Sequence, residues 1–278
     1  MTIKTLIILS VIVFCISCKK DIKPTIQTEY LKSDWVISDS LCLYIEDSTV
    51  LTDISPFGYE NVFKYFISGD SLILRRIMTP WKKSDFNAVF KILELSKDKL
   101  NLQFIRGHEN VFPYSPNKNF YFINNRNRKN NKIIKYLEFS SSYCFGHCPV
   151  IDLKIEQDSM LFIKCFRSTR SNGLFQHKLT KVEFDRINQK FNRINLDSFH
   201  LGSAPVDVQS YSFLIQTEDT LTLRCSGSSF SINKFDNNFS LFIYYLTNLD
   251  WLIELNKSNL DSLSIQDNSN RQFYKRTK

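Results

Sequence analysis

Val89-Phe-Lys-Ile-Leu-Glu-Leu95, then Ser96-Lys-Asp98, then Leu100-Asn-Leu-Gln-Phe-Ile105 is the stretch that decides the fold. In its second run Leu100, Leu102 and Phe104 point one way, and Asn101 and Gln103 point the other. That is the period of a half-buried strand. The polar triplet between the two runs is a turn, so the stretch predicts a β-hairpin. The same grammar occurs upstream. Val62-Phe-Lys-Tyr-Phe-Ile67 is apolar and partly alternating, Ser68-Gly-Asp70 is a turn, and Leu72-Ile-Leu74 resumes a strand. An antiparallel meander over residues 31–115 is the simplest architecture that satisfies both hairpins.

Working outward, residues 116–132 read as a linker, with Pro116, many asparagines and the cations Lys118, Arg126, Arg128, Lys129 and Lys132. Residues 133–254 alternate strands with two helices. Lys135–Phe139, Val150–Ile155, Leu161–Phe166, Tyr211–Thr217 and Thr220–Cys225 read as strands. Thr180 followed by Glu183 is a capping box, and Leu179 with Phe184 fits the hydrophobic staple. Phe184, Ile187, Phe191 and Ile194 recur at helical spacing. A closing helix is expected from about Asp236 to Glu254, with Phe239, Phe242, Ile243, Leu246, Leu249 and Ile253 on one core-facing stripe. Residues 255–278 turn polar and read as a mobile tail. The expected class is α+β, mostly β: an N-terminal antiparallel meander or partial barrel, then an α+β domain with antiparallel strands and two helices. The two are expected to fold as separate units.

The N-terminus reads as an address. Lys4 supplies a positive n-region, Leu6 to Ile16 an apolar h-region, and Ser17 a small residue before Cys18. A spanning helix needs roughly 20 apolar residues, more than this run supplies. Ser17-Cys18 resembles the lipobox of bacterial lipoproteins, although the third position before the cut, usually Leu, is Cys15. The resemblance implies a signal peptide over 1–17, acylation of Cys18 by chains such as palmitate, a tether over 18–30, and a place in the cell envelope at the outer membrane. Which way the chain faces is left open.

Composition narrows the chemistry. With 7 glycines in 278 residues, phosphate-cradling loops are disfavoured. The formal net charge is +8, and an exported basic protein meets anionic lipid head groups or acidic glycans rather than nucleic acid. No Walker loop, nucleophile elbow, metalloprotease helix or dinucleotide fingerprint occurs. His108, His147, His177 and His200 read as surface or satisfied histidines. Asp207 reads as a strand-entry turn residue. Glu46 and Asp47 are adjacent on a strand and so are expected to face opposite sides. The sequence therefore points to no catalytic residue, no metal ligand set and no cofactor.

The dense motif is Cys144-Phe-Gly-His-Cys-Pro149. Gly146 permits a sharp turn that brings the two Cys Cα atoms to about 6 Å, within disulfide range. A structural disulfide between Cys144 and Cys148 competes with a redox-active dithiol, a metal site that adds His147, and free thiols or pairing with Cys165 or Cys225. How Cys42, Cys165 and Cys225 pair is left open. Cys-Phe-Gly-x-Cys-Pro after a strand, then further strands, a Phe-rich helix, two strands and a last helix, resembles a domain-of-unknown-function family of bacterial lipoproteins. The resemblance adds no catalytic residue. Ser33-Asp-Trp35, the Gly69-Asp70 hairpin, Trp81-Lys82 and the final hairpin are similar to lipocalin-like domains of such lipoproteins. The function expected is a lipid-anchored envelope protein with a binding or structural role toward an unknown protein or ligand. The alternatives are a thiol-redox or metal-binding protein using Cys144 and Cys148, and a small apolar-ligand carrier.

Overall fold

In the computed structural model the described residues are 27–37, 41–52, 62–77, 87–108, 114–144, 148–198, 209–228, 237–260 and 262–263. The signal segment, Cys18, Trp81, Lys82, His147, His200 and Asp207 lie outside them.

The first unit is a closed, eight-stranded antiparallel barrel. Its strands are β1 (Asp34–Ile37), β2 (Leu41–Ile45), β3 (Thr49–Thr52), β4 (Val62–Ser68), β5 (Ser71–Arg76), β6 (Asn87–Leu95), β7 (Lys99–Arg106) and β8 (Asn119–Asn124). Closure is by β1 on β8, with Trp35 opposite Asn124 and Val36 opposite Ile123. The meander is thus complete and has no free edge. Strand β8 corrects the linker assignment. Phe120 and Phe122 point into the barrel while Tyr121 and Ile123 face out, so the short run inside the basic, Asn-rich stretch is a true alternating strand. Its flanks masked the period.

A barrel of this strand number is about wide enough to be filled by its own side chains. Here Trp35, Phe63, Phe90, Phe104, Phe120 and Phe122 are buried inside with leucines from β5 and β7. Phe90 meets Phe104 and Phe120 edge-on, with centroids 5.4 and 6.0 Å apart. The indole N–H of Trp35 donates to the Leu31 carbonyl at 2.8 Å, which satisfies its polar atom.

The second unit is a seven-stranded antiparallel sheet of order β14-β13-β9-β10-β11-β12-β15. The strands are β9 (Ile134–Ser141), β10 (Val150–Ile155), β11 (Met160–Arg167), β12 (Gly173–Lys178), β13 (Ser210–Thr217), β14 (Thr222–Ser228) and β15 (Asn256–Lys257). The last of these begins the stretch read as a tail. It is a polar edge strand whose backbone pairing leaves no apolar signature. Helix α1 (Lys181–Phe191) starts as expected: Thr180 Oγ1 accepts from Glu183 N, and the Glu183 carboxylate accepts from Thr180 N at 2.7 Å. The closing helix is split into α2 (Asn237–Thr247) and α3 (Leu249–Leu252). Asn248 makes the break: its Nδ2 donates to the Tyr244 carbonyl at 2.8 Å and competes with the helix's own ladder.

The two units share one apolar cluster. Leu43 and Ile45 of β2 point into the barrel, whereas Cys42 and Tyr44 point out and pack with Phe191, Phe242 and Tyr245 in the core of the second unit. That is why Leu41–Ile45 is a continuous apolar run and not an alternating one. The basic connection after β8 is docked as well. Lys129 N and Asn130 N both donate to the Asn192 carbonyl, at 2.7 and 3.0 Å.

Candidate functional site

Cys144 and Cys148 form a disulfide, with Cα atoms 5.8 Å apart. It closes the connection from β9 to β10, and a collar of polar side chains holds the ends of that connection. Ser141 Oγ donates to the Pro149 carbonyl at 2.9 Å and accepts from Ile151 N at 3.0 Å. Ser142 Oγ accepts from Ser210 N at 2.8 Å. Gln209 Nε2 donates to the carbonyls of Ser142 and Pro149, and Tyr211 donates its hydroxyl to Gln209 Oε1. Ser140-Ser-Ser142 thus fixes the strand ends that the disulfide bridges.

Beside the collar runs a polar row across the sheet, on the face away from the helices. Ser212, Ser140 and Asp152 are direct cross-strand neighbours, and all three are buried. Ser140 Oγ donates to Asp152 Oδ1 at 2.7 Å. Glu138, one step along β9, is also buried and accepts from the Tyr136 hydroxyl. Burial first, and then the Glu138 carboxylate, push the Tyr136 phenol well above its ordinary range. The Ser140–Asp152 hydrogen bond ties β9 to β10. The row forms a buried polar seam across the three strands.

A second polar constellation lies between barrel and helix. Arg186, Lys190 and Arg193 form a stripe at spacings of four and three, next to the apolar face of α1. Lys190 Nζ bonds both oxygens of Asp34, at 2.8 and 2.7 Å, and Arg193 pairs with the same carboxylate. Lys190 Nζ also lies 4.2 Å from the ring centre of Tyr44 and 4.3 Å from that of Tyr245. Burial alone would raise the pKa of Asp34. The two cations outweigh it and hold the carboxyl below the usual range. For Glu46 burial wins over Lys190 and Arg186, and its pKa is raised.

Glu46 and Asp47 do not face opposite ways. Both follow the end of β2, where the chain bends, and both reach Arg186, at 2.5 and 3.5 Å. The alternation rule fails because the strand has ended. Sequence reading missed Asp34, since nothing local marks it; the cation stripe on α1 was the available signal. His177 is satisfied, with Nε2 3.0 Å from Glu183 Oε2.

Cys144 and Cys148 are bonded to each other, so neither Cys165 nor Cys225 pairs with the motif. Burial and nearby Asp250 hold the Cys165 thiol far above its ordinary range, which makes it an inert core residue. Opening the Cys144–Cys148 bridge with Cys144→Ser plus Cys148→Ser should lower stability by at most about 2 kcal/mol, the entropy of closing so small a loop. Urea unfolding of the oxidised protein and the double variant measures this. A loss well above that figure would show that the bridge does more than close its turn.

No curated protein and no solved structure matches the chain. Residues 135–233, a span running from β9 through α1 to just past β14 and holding both the disulfide turn and the polar seam, match the family described as domain of unknown function DUF6438.

Proposed function

We propose that the chain is a lipid-anchored protein of the bacterial cell envelope, held at the outer membrane through acyl chains on Cys18, with a binding or structural role. The observation that carries this reading is the stretch from Met1 to Cys18: a cation, a short apolar run, a small residue and a cysteine. The Cys144–Cys148 disulfide supports it, because such bonds persist in oxidising compartments. The aromatic filling of the barrel favours a structural barrel over an apolar-ligand carrier. The partner is an unidentified protein or ligand, not nucleic acid, and the two units work as one body through their shared core.

Cys18→Ser should move the protein out of the membrane fraction, or leave it there as an uncleaved precursor of higher mass. A variant that fractionates with membranes at the mature mass, as the parent does, sinks the lipoprotein reading.

A further inference from the structure

Among the described residues, Val36, Cys42, Tyr44 and Leu51 of β1–β3 and Val62 at the start of β4 pack into the second unit's core, and the row described next does not join that core. On the outer face of β4–β7 the cross-strand partners Phe66, Ile73 and Val89 make one row. Ile105 continues that row at the bulge where β6 meets β7. Phe66 is 44% and Ile105 37% exposed. Cations frame this row: Lys64 and Arg75 are neighbours in the adjacent row, and Arg106 lies opposite Val89. The Arg75 guanidinium sits 5.0 Å from the centre of the Phe66 ring. One acidic residue faces out on these strands: Glu94, at the far end of β6 from Val89, where its carboxylate accepts from Asn101 Nδ2 at 2.5 Å. Asp70, in the hairpin turn, is 3.9 Å from Lys91. An exposed apolar row inside a frame of one charge sign matches the boundary between acyl chains and anionic head groups, where aromatic rings sink and cations stay at phosphate level.

We propose that this wall, through the Phe66–Ile73–Val89–Ile105 row, lies on an anionic lipid surface. The contact goes beyond the N-terminal anchor and does not need it. It sets an orientation: the DUF6438-matching unit, on the opposite side of the barrel, points away from the bilayer.

The test uses the full chain, acylated as isolated, with Phe66→Trp or, as a second reporter, Ile105→Trp. Each is mixed with vesicles of phosphatidylglycerol and phosphatidylethanolamine, or of phosphatidylcholine alone, carrying lipids brominated near the head group. Flotation reads the anchor; quenching beyond that of the parent protein reads the wall. Quenching is expected with the anionic vesicles, absent with the zwitterionic ones, and lost in about 1 M salt, where charges are screened within ~3 Å. Lys64→Glu with Arg75→Glu should abolish it while flotation persists. Each cation lost weakens contact about fivefold. A chain that floats with both vesicle types while positions 66 and 105 stay unquenched overturns the docking and leaves the anchor standing. One that floats only with anionic vesicles and is quenched supports the docking and overturns the anchor. One that floats with neither overturns both.

Discussion

Asp34→Ala should lower the stability of the whole chain by about 3–5 kcal/mol, the cost of leaving buried cations without their counter-charge. Lys190 and Arg193 are only 4% and 10% exposed, and Asp34 is their shared partner. Lys190 is further enclosed between two tyrosine rings, so water cannot replace the carboxylate without opening the contact between barrel and helix. The loss should therefore appear as one cooperative shift, seen alike by Trp35 in the barrel and by far-ultraviolet circular dichroism in urea. Adding Lys190→Met should recover part of it, since a buried pair replaced by apolar groups is often close to neutral. The pH dependence has a definite sign. The Asp34 carboxyl is held below its usual range, so its contribution is complete above the unfolded value of about 4 and disappears as pH falls through the lower, folded value. A loss below about 1 kcal/mol would mean that solvent enters the cluster and that it behaves as a surface pair.

The second large effect has the opposite sign. Asp250→Asn should stabilise the protein by roughly 2–4 kcal/mol at pH 8 and leave it nearly unchanged near pH 4. Asp250 lies in α3, fully enclosed. Its Oδ2 accepts from Arg170 N at 2.7 Å, while Oδ1 is buried without a hydrogen bond. Burial raises its pKa from 3.8 to about 7. The folded state thus binds the proton more tightly than the unfolded state. Stability from this group is greatest below pH ~4 and falls as pH rises towards 7, by up to roughly 4 kcal/mol. An asparagine keeps the acceptor for Arg170 N and removes the charge. Glu46 is raised in the same direction, so the difference between parent and variant, measured by urea unfolding between pH 5 and 8, isolates Asp250. A parent with no slope in that window, or a variant with no gain at pH 8, would refute the assignment.

How much of this was legible in the sequence follows from which interactions are local. The hairpins at 62–74 and 89–105 and the capping box at Thr180 are written in residues a few positions apart, and the structure has all of them. The disulfide was legible for the same reason: the two cysteines stand four positions apart, and the structure joins them. Strand β8 was obscured because four alternating residues carry little signal among asparagines and lysines. The α2–α3 break was missed because Asn248 acts through a side-chain hydrogen bond that hydrophobic spacing does not register. The ionic cluster was out of reach in principle. Asp34 and Lys190 are 156 positions apart, and only the packing of two sheets against α1 brings them together. The polar seam shows the same limit, because Ser212 joins Ser140 and Asp152 only once β13 is laid against β9.

The double burial of β2 bears on ancestry. A barrel whose outer wall carries Cys42, Tyr44 and Leu51 into another unit's core is not a portable cassette. Any recombination that moved it to a new neighbour would strip an apolar strip bare, and any that moved the second unit would expose Phe242 and Tyr245. A change of volume at Tyr44 disturbs the packing of Tyr245 on α2, and a change there disturbs Tyr44. The boundary between the halves marks a change of architecture along the chain and not a place where the chain can be cut and rejoined.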